Sequence, residues 1–178
     1  MESKKFRIVA AQSNIDWTGR KVTGAHNGTI AIKQGELVLH DSKLTGGKFV
    51  IDTTSIKILD LMDPGTNAQF AGHLASDDFF GSEKHPEALF VITSAEPSGD
   101  NTYDINGDLT IKGITHPVIF SAILNVSGDI LTASGKVIVD RTRYGMRFRS
   151  GNFFRDLGDN LIYNDFDLNV SITANAGS

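Results

Sequence analysis

The stretch FDLNVSITA, residues 166–174, decides the fold. Phe166, Leu168, Val170, Ile172 and Ala174 are apolar, while Asp167, Asn169, Ser171 and Thr173 between them are polar. A period of two places the first set on one face of an extended strand and the second on the other. One face is therefore buried and the other meets water. The same alternation recurs at 14–19, 28–33, 36–40, 48–52, 89–95, 103–112, 118–126 and 130–140. Turn chemistry separates these runs: Gln34-Gly35, Gly46-Gly47, Ser98-Gly99-Asp100, Lys112-Gly113 and Ser127-Gly128-Asp129. About eight or nine strands with short connections predict an all-β antiparallel meander.

Such a sheet must hide its edges, by closing into a barrel or by folding into a two-sheet sandwich. The 18 glycines among 178 residues suit the bends of coiled barrel strands. One interruption lies at residues 60–86, which lack alternation. Within it Asn67–Ser76 predicts a short helix, with Phe70 and Leu74 at i, i+4 on one apolar face. An insertion of this length is a candidate lid or mouth, with a plain covering helix as the alternative. The expected organisation is a single domain over 1–178, with loose ends at 1–12 and 175–178.

Composition narrows the function. A net charge of −4 and a pI near 5.7 argue against a nucleic-acid partner and against charge-driven membrane adsorption. The chain contains no cysteine, so disulfides and thiolate metal sites are excluded. The stretch MESKKFRIVAAQ has no apolar core of the kind an export signal or anchor needs. As it stands the chain reads as cytoplasmic, and as periplasmic if a signal peptide has been removed, so localisation stays open. No run approaches the roughly 18 apolar residues of a spanning helix, and stable membrane insertion is not expected. His26, His40, His73, His85 and His116 are scattered without metal-ligand spacing. No nucleophile elbow, phosphate loop or dinucleotide fingerprint is present. The residues therefore predict no metal, no cofactor and no catalytic group.

Two segments carry more information. In GITHP, residues 113–117, Gly113 supplies a bend and Pro117 suits the first residue of a strand, which makes His116 a structural turn histidine. In DRTRYGMRFRSGNFFR, Arg141, Arg143, Arg147 and Arg149 share one parity, with Thr142, Tyr144, Met146 and Phe148 on the other. If the chain stays extended, four guanidiniums line one face. That face is either solvated and paired to nearby carboxylates or a contact for a phosphate or other polar head group.

An ordered set of motifs then resembles the YceI family of bacterial polyisoprenoid-binding proteins. The motifs are Trp17-Thr18-Gly19 with Val22-Thr23-Gly24 and His26, Asp77-Asp78-Phe79-Phe80 with Pro86, and Gly107 through Pro117. Asp140-Arg141-Thr142, Tyr144-Gly145 and Asp159 to Phe166 complete it. The resemblance implies a lipocalin-like, eight-stranded antiparallel barrel whose apolar tunnel holds a long isoprenoid such as a polyprenyl quinone or polyprenyl phosphate. It implies carriage or storage without cofactor or catalytic residue.

Alternation nominates Trp17, Phe49, Phe90, Phe120, Leu124, Phe166, Leu168 and Val170 as tunnel lining, each of which also reads as plain core. For 89–95, Phe90 and Ile92 compete with Leu89 and Val91 for the inner face. Phe70, Leu74, Phe79 and Phe80 are the mouth candidates. Two alternatives stand beside the carrier. One is a lipid-acting enzyme using His116, His73 and the arginine row; the other is a stress-related structural protein with an incidental cavity. A homodimer through an exposed edge is a further arrangement the residues leave open.

Overall fold

The alternating segments form nine antiparallel strands among the described residues. They are β1 (Ser3–Ile8), β2 (Asn14–Lys21), β3 (Gly24–His40), β4 (Lys43–Ile58), β5 (Glu87–Gly99), β6 (Thr102–Ile111), β7 (Ile114–Ser127), β8 (Ile130–Asp140) and β9 (Ile162–Asn175). The computed structural model describes residues 3–21, 24–41, 43–60, 63–76, 80–144, 146 and 162–176.

The nine strands close into a barrel of eight staves, because β1 and β2 share one stave. β2 pairs with residues 24–30 of β3 and β1 with residues 36–40, and both also meet β9. A 3-10 turn at Ala10–Gln12 separates them. Ser13 holds that break together: its Oγ donates to the Val9 carbonyl at 2.9 Å and accepts from Thr173 N at 3.1 Å. The freed backbone groups thus find partners. Pairing of β3 with β4 completes the ring and decides against the sandwich.

Within the end expected to be loose over 1–12, residues 3–8 form β1, whose Phe6 is 0% exposed. Its side chain carries enough apolar area to hold the segment in the sheet. The turns expected at Gln34-Gly35 and Gly46-Gly47 are likewise absent, since β3 and β4 run straight through them. Register shifts at Ile32/Gln34 and Val38/Leu39 show that this region bends the ladder by bulges. The reversal comes at Asp41, with φ of 51°. The Lys112-Gly113 turn is where alternation places it, with φ of 57° and 75°, the pair of positive values a tight two-residue hairpin needs. β7 starts at Ile114, so His116 and Pro117 lie inside the strand and not in the turn. That stretch of β7 pairs with β6 along its whole length but meets β8 only from Ala122 onward. Proline is tolerated where a strand has a neighbour on one side.

The inserted helix α1 spans Pro64–Ala75, a few residues earlier than the apolar pair alone suggests. Asp63 caps it, accepting from Thr66 N at 2.8 Å, and Pro64 fills the first position, where no N–H is needed. Asn67 Nδ2 donates to the Ile58 carbonyl at 2.9 Å and ties the helix to the end of β4.

A candidate ligand cavity

Inward residues of the strands do not fill the barrel evenly. At the end crossed by α1 lies a cavity of about 320 Å³. Its walls are Ile15, Trp17, Ile30, Ile51, Ile56, Ala88, Leu109, Ile111, Phe166 and Leu168, with Phe70, Leu74 and Phe80 on the helix side and Met146 beneath. A smaller cavity of about 50 Å³ lies deeper and shares Ile15, Ile51, Leu109 and Leu168 with the first. Phe49, Phe90, Phe120, Leu124 and Val170 line only the deeper one. Farther on, Phe6, Leu131 and Ala174 are fully buried and fill the opposite end.

Four of the aromatic side chains, Trp17, Phe49, Phe90 and Phe120, pack against glycines. A Cβ on Gly107 would lie 2.5 Å from Phe90 Cε1, and one on Gly35 would lie 2.5 Å from Phe49 Cβ. Trp17 likewise sits over Gly28, its registered partner across β2 and β3, and Phe120 is close to Gly135. Large and small inward positions thus interdigitate, which fixes where volume is filled and where it is left open.

Polar groups gather at the α1 end: Arg20, His26, His73, Arg141 and Asp165 all reach the larger cavity. His26 Nδ1 donates to Asp60 Oδ2 at 2.8 Å, and its ring stands edge-on to Phe70 at 4.8 Å, joining β3 to the helix. Burial raises the Asp60 carboxyl, but hydrogen bonds from His26 and from Asn27 N outweigh it and hold the group below the usual value. Arg141 is only 3% exposed and donates through Nη1 to the Met146 carbonyl at 2.6 Å. Desolvation lowers its pKa to about 10, partly offset by Asp140, so it is cationic at neutral pH.

All eight residues nominated as lining border one of the two cavities, with Trp17 and Phe166 on the larger, Leu168 on both, and the other five on the smaller. Ala88, Phe90 and Ile92 are the inward set of β5, while Leu89 is 36% exposed. Phe70, Leu74 and Phe80 lie at the α1 end; Phe79 falls outside the described residues.

The arginine row is corrected. Residues 141–144 form a 3-10 helix, so the shared parity of an extended strand is lost. Asp140 Oδ1 starts that helix by accepting from Thr142 N at 3.0 Å and from its hydroxyl at 2.6 Å. Arg141 turns in to the cavity, whereas Arg143 is exposed. Arg147 and Arg149 lie outside the described residues. His116 is a brace: its Nε2 donates to the Arg143 carbonyl at 2.9 Å and its ring meets Tyr144 edge-on at 5.3 Å.

Sequence reasoning missed Ile15, Ile51, Leu109 and Ile111, although Ile15 shares parity with Trp17 and Ile51 with Phe49, which it did select. It also missed the His26–Asp60 pair, which spans 34 residues and leaves no local signal.

A closed antiparallel barrel with an apolar interior cavity and polar groups at one end has room for a slim apolar molecule. A model of the YceI-like domain matches residues 6–174, and the chain belongs to that family. Among curated relatives, a UPF0312 protein of Pseudomonas putida is 34% identical over 102 residues, covering 57% of this chain and 50% of that protein. One from Photorhabdus laumondii is 35% identical over 126 residues, covering 66% and 58%. The chain thus aligns with about half the length of these relatives. Among solved structures, Burkholderia cenocepacia BcnA superposes with a TM-score of 0.71 at 21% identity, covering 94% of this chain and 99% of that one. A polyisoprenoid-binding domain from Saccharophagus degradans, implicated in plant cell wall breakdown, gives 0.70 at 12% identity, covering 97% and 98%. These likenesses establish the lipocalin-like barrel fold.

Proposed function

We propose that this protein binds an isoprenoid lipid, the tail of a polyprenyl quinone or polyprenyl phosphate, inside the barrel and carries or stores it. The observation that carries the reading is the cavity of about 320 Å³, walled by apolar side chains and rimmed at one end by polar ones. That polarity gradient suits a hydrocarbon with a polar head. Trp17, Phe166 and Leu168 would touch the chain, Phe70, Leu74 and Phe80 would flank its entry, and Arg141 would face the head group. The structural neighbour described as a polyisoprenoid-binding domain supports the same ligand class.

A membrane hides the same tail as well as the barrel does. Burying about 40 carbons at ~0.8 kcal/mol each would total roughly 30 kcal/mol against water. That exceeds the ceiling of about 20 kcal/mol for non-covalent binding, so the relevant balance is between bilayer and barrel. Near balance suits loading and release.

The test is native mass spectrometry of the purified protein, with solvent extraction of what it releases. Trp17 is the single tryptophan and borders the cavity, so its fluorescence reports occupancy directly. A prenyl lipid near one per chain, with a Trp17 change on reloading, is expected. An empty chain that takes up no offered prenyl lipid refutes the reading. The His26–Asp60 contact at the rim gives a second reading, that of a lipid-acting enzyme with His26 as base. Turnover of a bound prenyl ester that His26→Gln abolishes would establish it.

A further inference from the structure

Resting on the isoprenoid reading, we propose that His26 selects the head group, accepting a hydrogen bond at Nε2 from a ligand that ends in a hydroxyl. His26 shares parity on β3 with Gly28 and Ile30, which are both buried, so its side chain enters the barrel at the α1 end and borders the larger cavity. The Trp17 ring lies over Gly28, the next inward position, and Phe70 of α1 meets the His26 ring edge-on. Asp60 decides which ring nitrogen carries the proton. Its Oδ1 accepts from Asn27 N at 3.1 Å and its Oδ2 from His26 Nδ1 at 2.8 Å, so both oxygens are engaged on β3. An ionised carboxylate can only accept. The proton of the neutral ring therefore sits on Nδ1, and Nε2 carries a lone pair. Among the described residues Nε2 has no partner.

A lone pair on the rim of an apolar cavity discriminates by what the head group can give. A hydroxyl gives its proton to Nε2. An ether or a ketone brings only lone pairs, which face another lone pair and leave both sides desolvated and unpaired. A site built to take a hydrogen bond rejects an analogue without the donor more sharply than an apolar wall rejects a change of size. The forms of a quinone differ in this respect, since the oxidised ring only accepts and the reduced ring carries hydroxyls. The rim therefore favours a prenyl alcohol or a reduced quinol over the oxidised quinone. This role is one of binding and needs no bond to break. Asp60 acts through His26 as a positioning residue. In Asp60→Asn the amide oxygen stays with Asn27 N, so the amide nitrogen turns to Nδ1 and donates to it. The ring proton then moves to Nε2, and the rim becomes a donor.

The experiment offers the purified full chain geranylgeraniol and its methyl ether at about pH 8, where free imidazole is neutral. Trp17 fluorescence and native mass spectrometry read affinity. The probes share one tail, so tail burial cancels in the ratio of their affinities. The wild type holds the alcohol about tenfold tighter, the worth of one satisfied hydrogen bond. His26→Leu removes the acceptor and brings the ratio to near unity. Asp60→Asn, which keeps the size of the side chain and both contacts of the pair, also brings the ratio to near unity. It does so by raising the affinity for the ether, a gain that damage to the fold would not produce. A wild type that binds both probes equally overturns head-group selection by His26 and leaves the isoprenoid reading standing. An Asp60→Asn variant that keeps the wild-type ratio does the same. A wild type that binds neither probe overturns the isoprenoid reading itself, and the selection with it.

Discussion

Gly107→Ala tests whether the Phe90 ring is held by the missing side chain beneath it. The new methyl would lie 2.5 Å from Phe90 Cε1 and 2.8 Å from the Val91 carbonyl oxygen. Neither distance is tolerable, so the Phe90 ring must tilt toward the barrel axis and β5 must shift slightly. Overpacking of this kind costs about 1–3 kcal/mol. Replacing glycine by alanine in a strand returns about 0.5–1 kcal/mol of chain entropy. The net expectation is a loss of about 1–2 kcal/mol, or a melting point lower by roughly 2–8 °C for a chain of this size. The diagnostic is a double-mutant cycle by denaturant unfolding with Phe90→Leu. Leucine lacks the ring edge that the methyl strikes, so in that background only the Val91 carbonyl contact remains and Gly107→Ala should cost less, a coupling of about 1 kcal/mol. Additive effects, or a neutral single variant, would refute the claim that Gly107 positions the Phe90 ring.

Four further outcomes follow from the same geometry. Arg141→Lys keeps the charge but loses the planar fork, and should weaken a prenyl-phosphate probe about tenfold while leaving a prenyl alcohol unaffected. In the wild type, phosphate-probe binding should also fade as pH rises through about 10, where Arg141 loses its proton. Asp167 is clamped by Arg20 at 2.7 Å and Lys136 at 3.5 Å, and the Arg20 hydrogen bond depresses its pKa despite burial. Its stabilisation is present above the unfolded value of about 4 and is lost as pH falls through the folded one. Thermal melts should thus fall more steeply below pH ~4 in the wild type than in Asp167→Asn, which is itself less stable at neutral pH by up to about 1 kcal/mol. His116→Ala should lower stability by about 1–2 kcal/mol, from the lost Arg143 bond and Tyr144 contact, with prenyl binding unchanged. A binding defect there would reassign His116 to the site.

The strands were legible because burial on one face forces a period of two, and residues 166–174 keep the apolar and polar alternation without interruption. Gly113 and Gly128 were legible as turns because their positive φ is a local backbone need. Gly35 was not. Its role is to leave room for Phe49, a residue 14 positions away, and only the folded register reveals that. The arginine row misled for a local reason. Alternation assumes an extended chain, and Asp140 followed two positions later by Thr142 carries the hydrogen bonds that end the strand. That Asx motif was readable in the sequence. The cavity itself was legible only as a set of inward residues. Whether they meet or leave space depends on which large ring falls opposite which glycine, and hence on pairings between distant strands.

The divided stave has a consequence in time. Arg7 pairs with Asn175, and Ile8 with Ala174. Lys4 reaches Asp129 at 3.1 Å, and the Asp129 carbonyl accepts from Ala176 N at 2.8 Å, so the first and last strands converge on one turn. On the ribosome, β1 must wait until β9 is made before its stave has both neighbours. Contacts of such sequence separation are slow to form. The seam at β9 is therefore the closing event of the barrel, and until it closes the apolar interior faces the surroundings that the finished barrel shuts out.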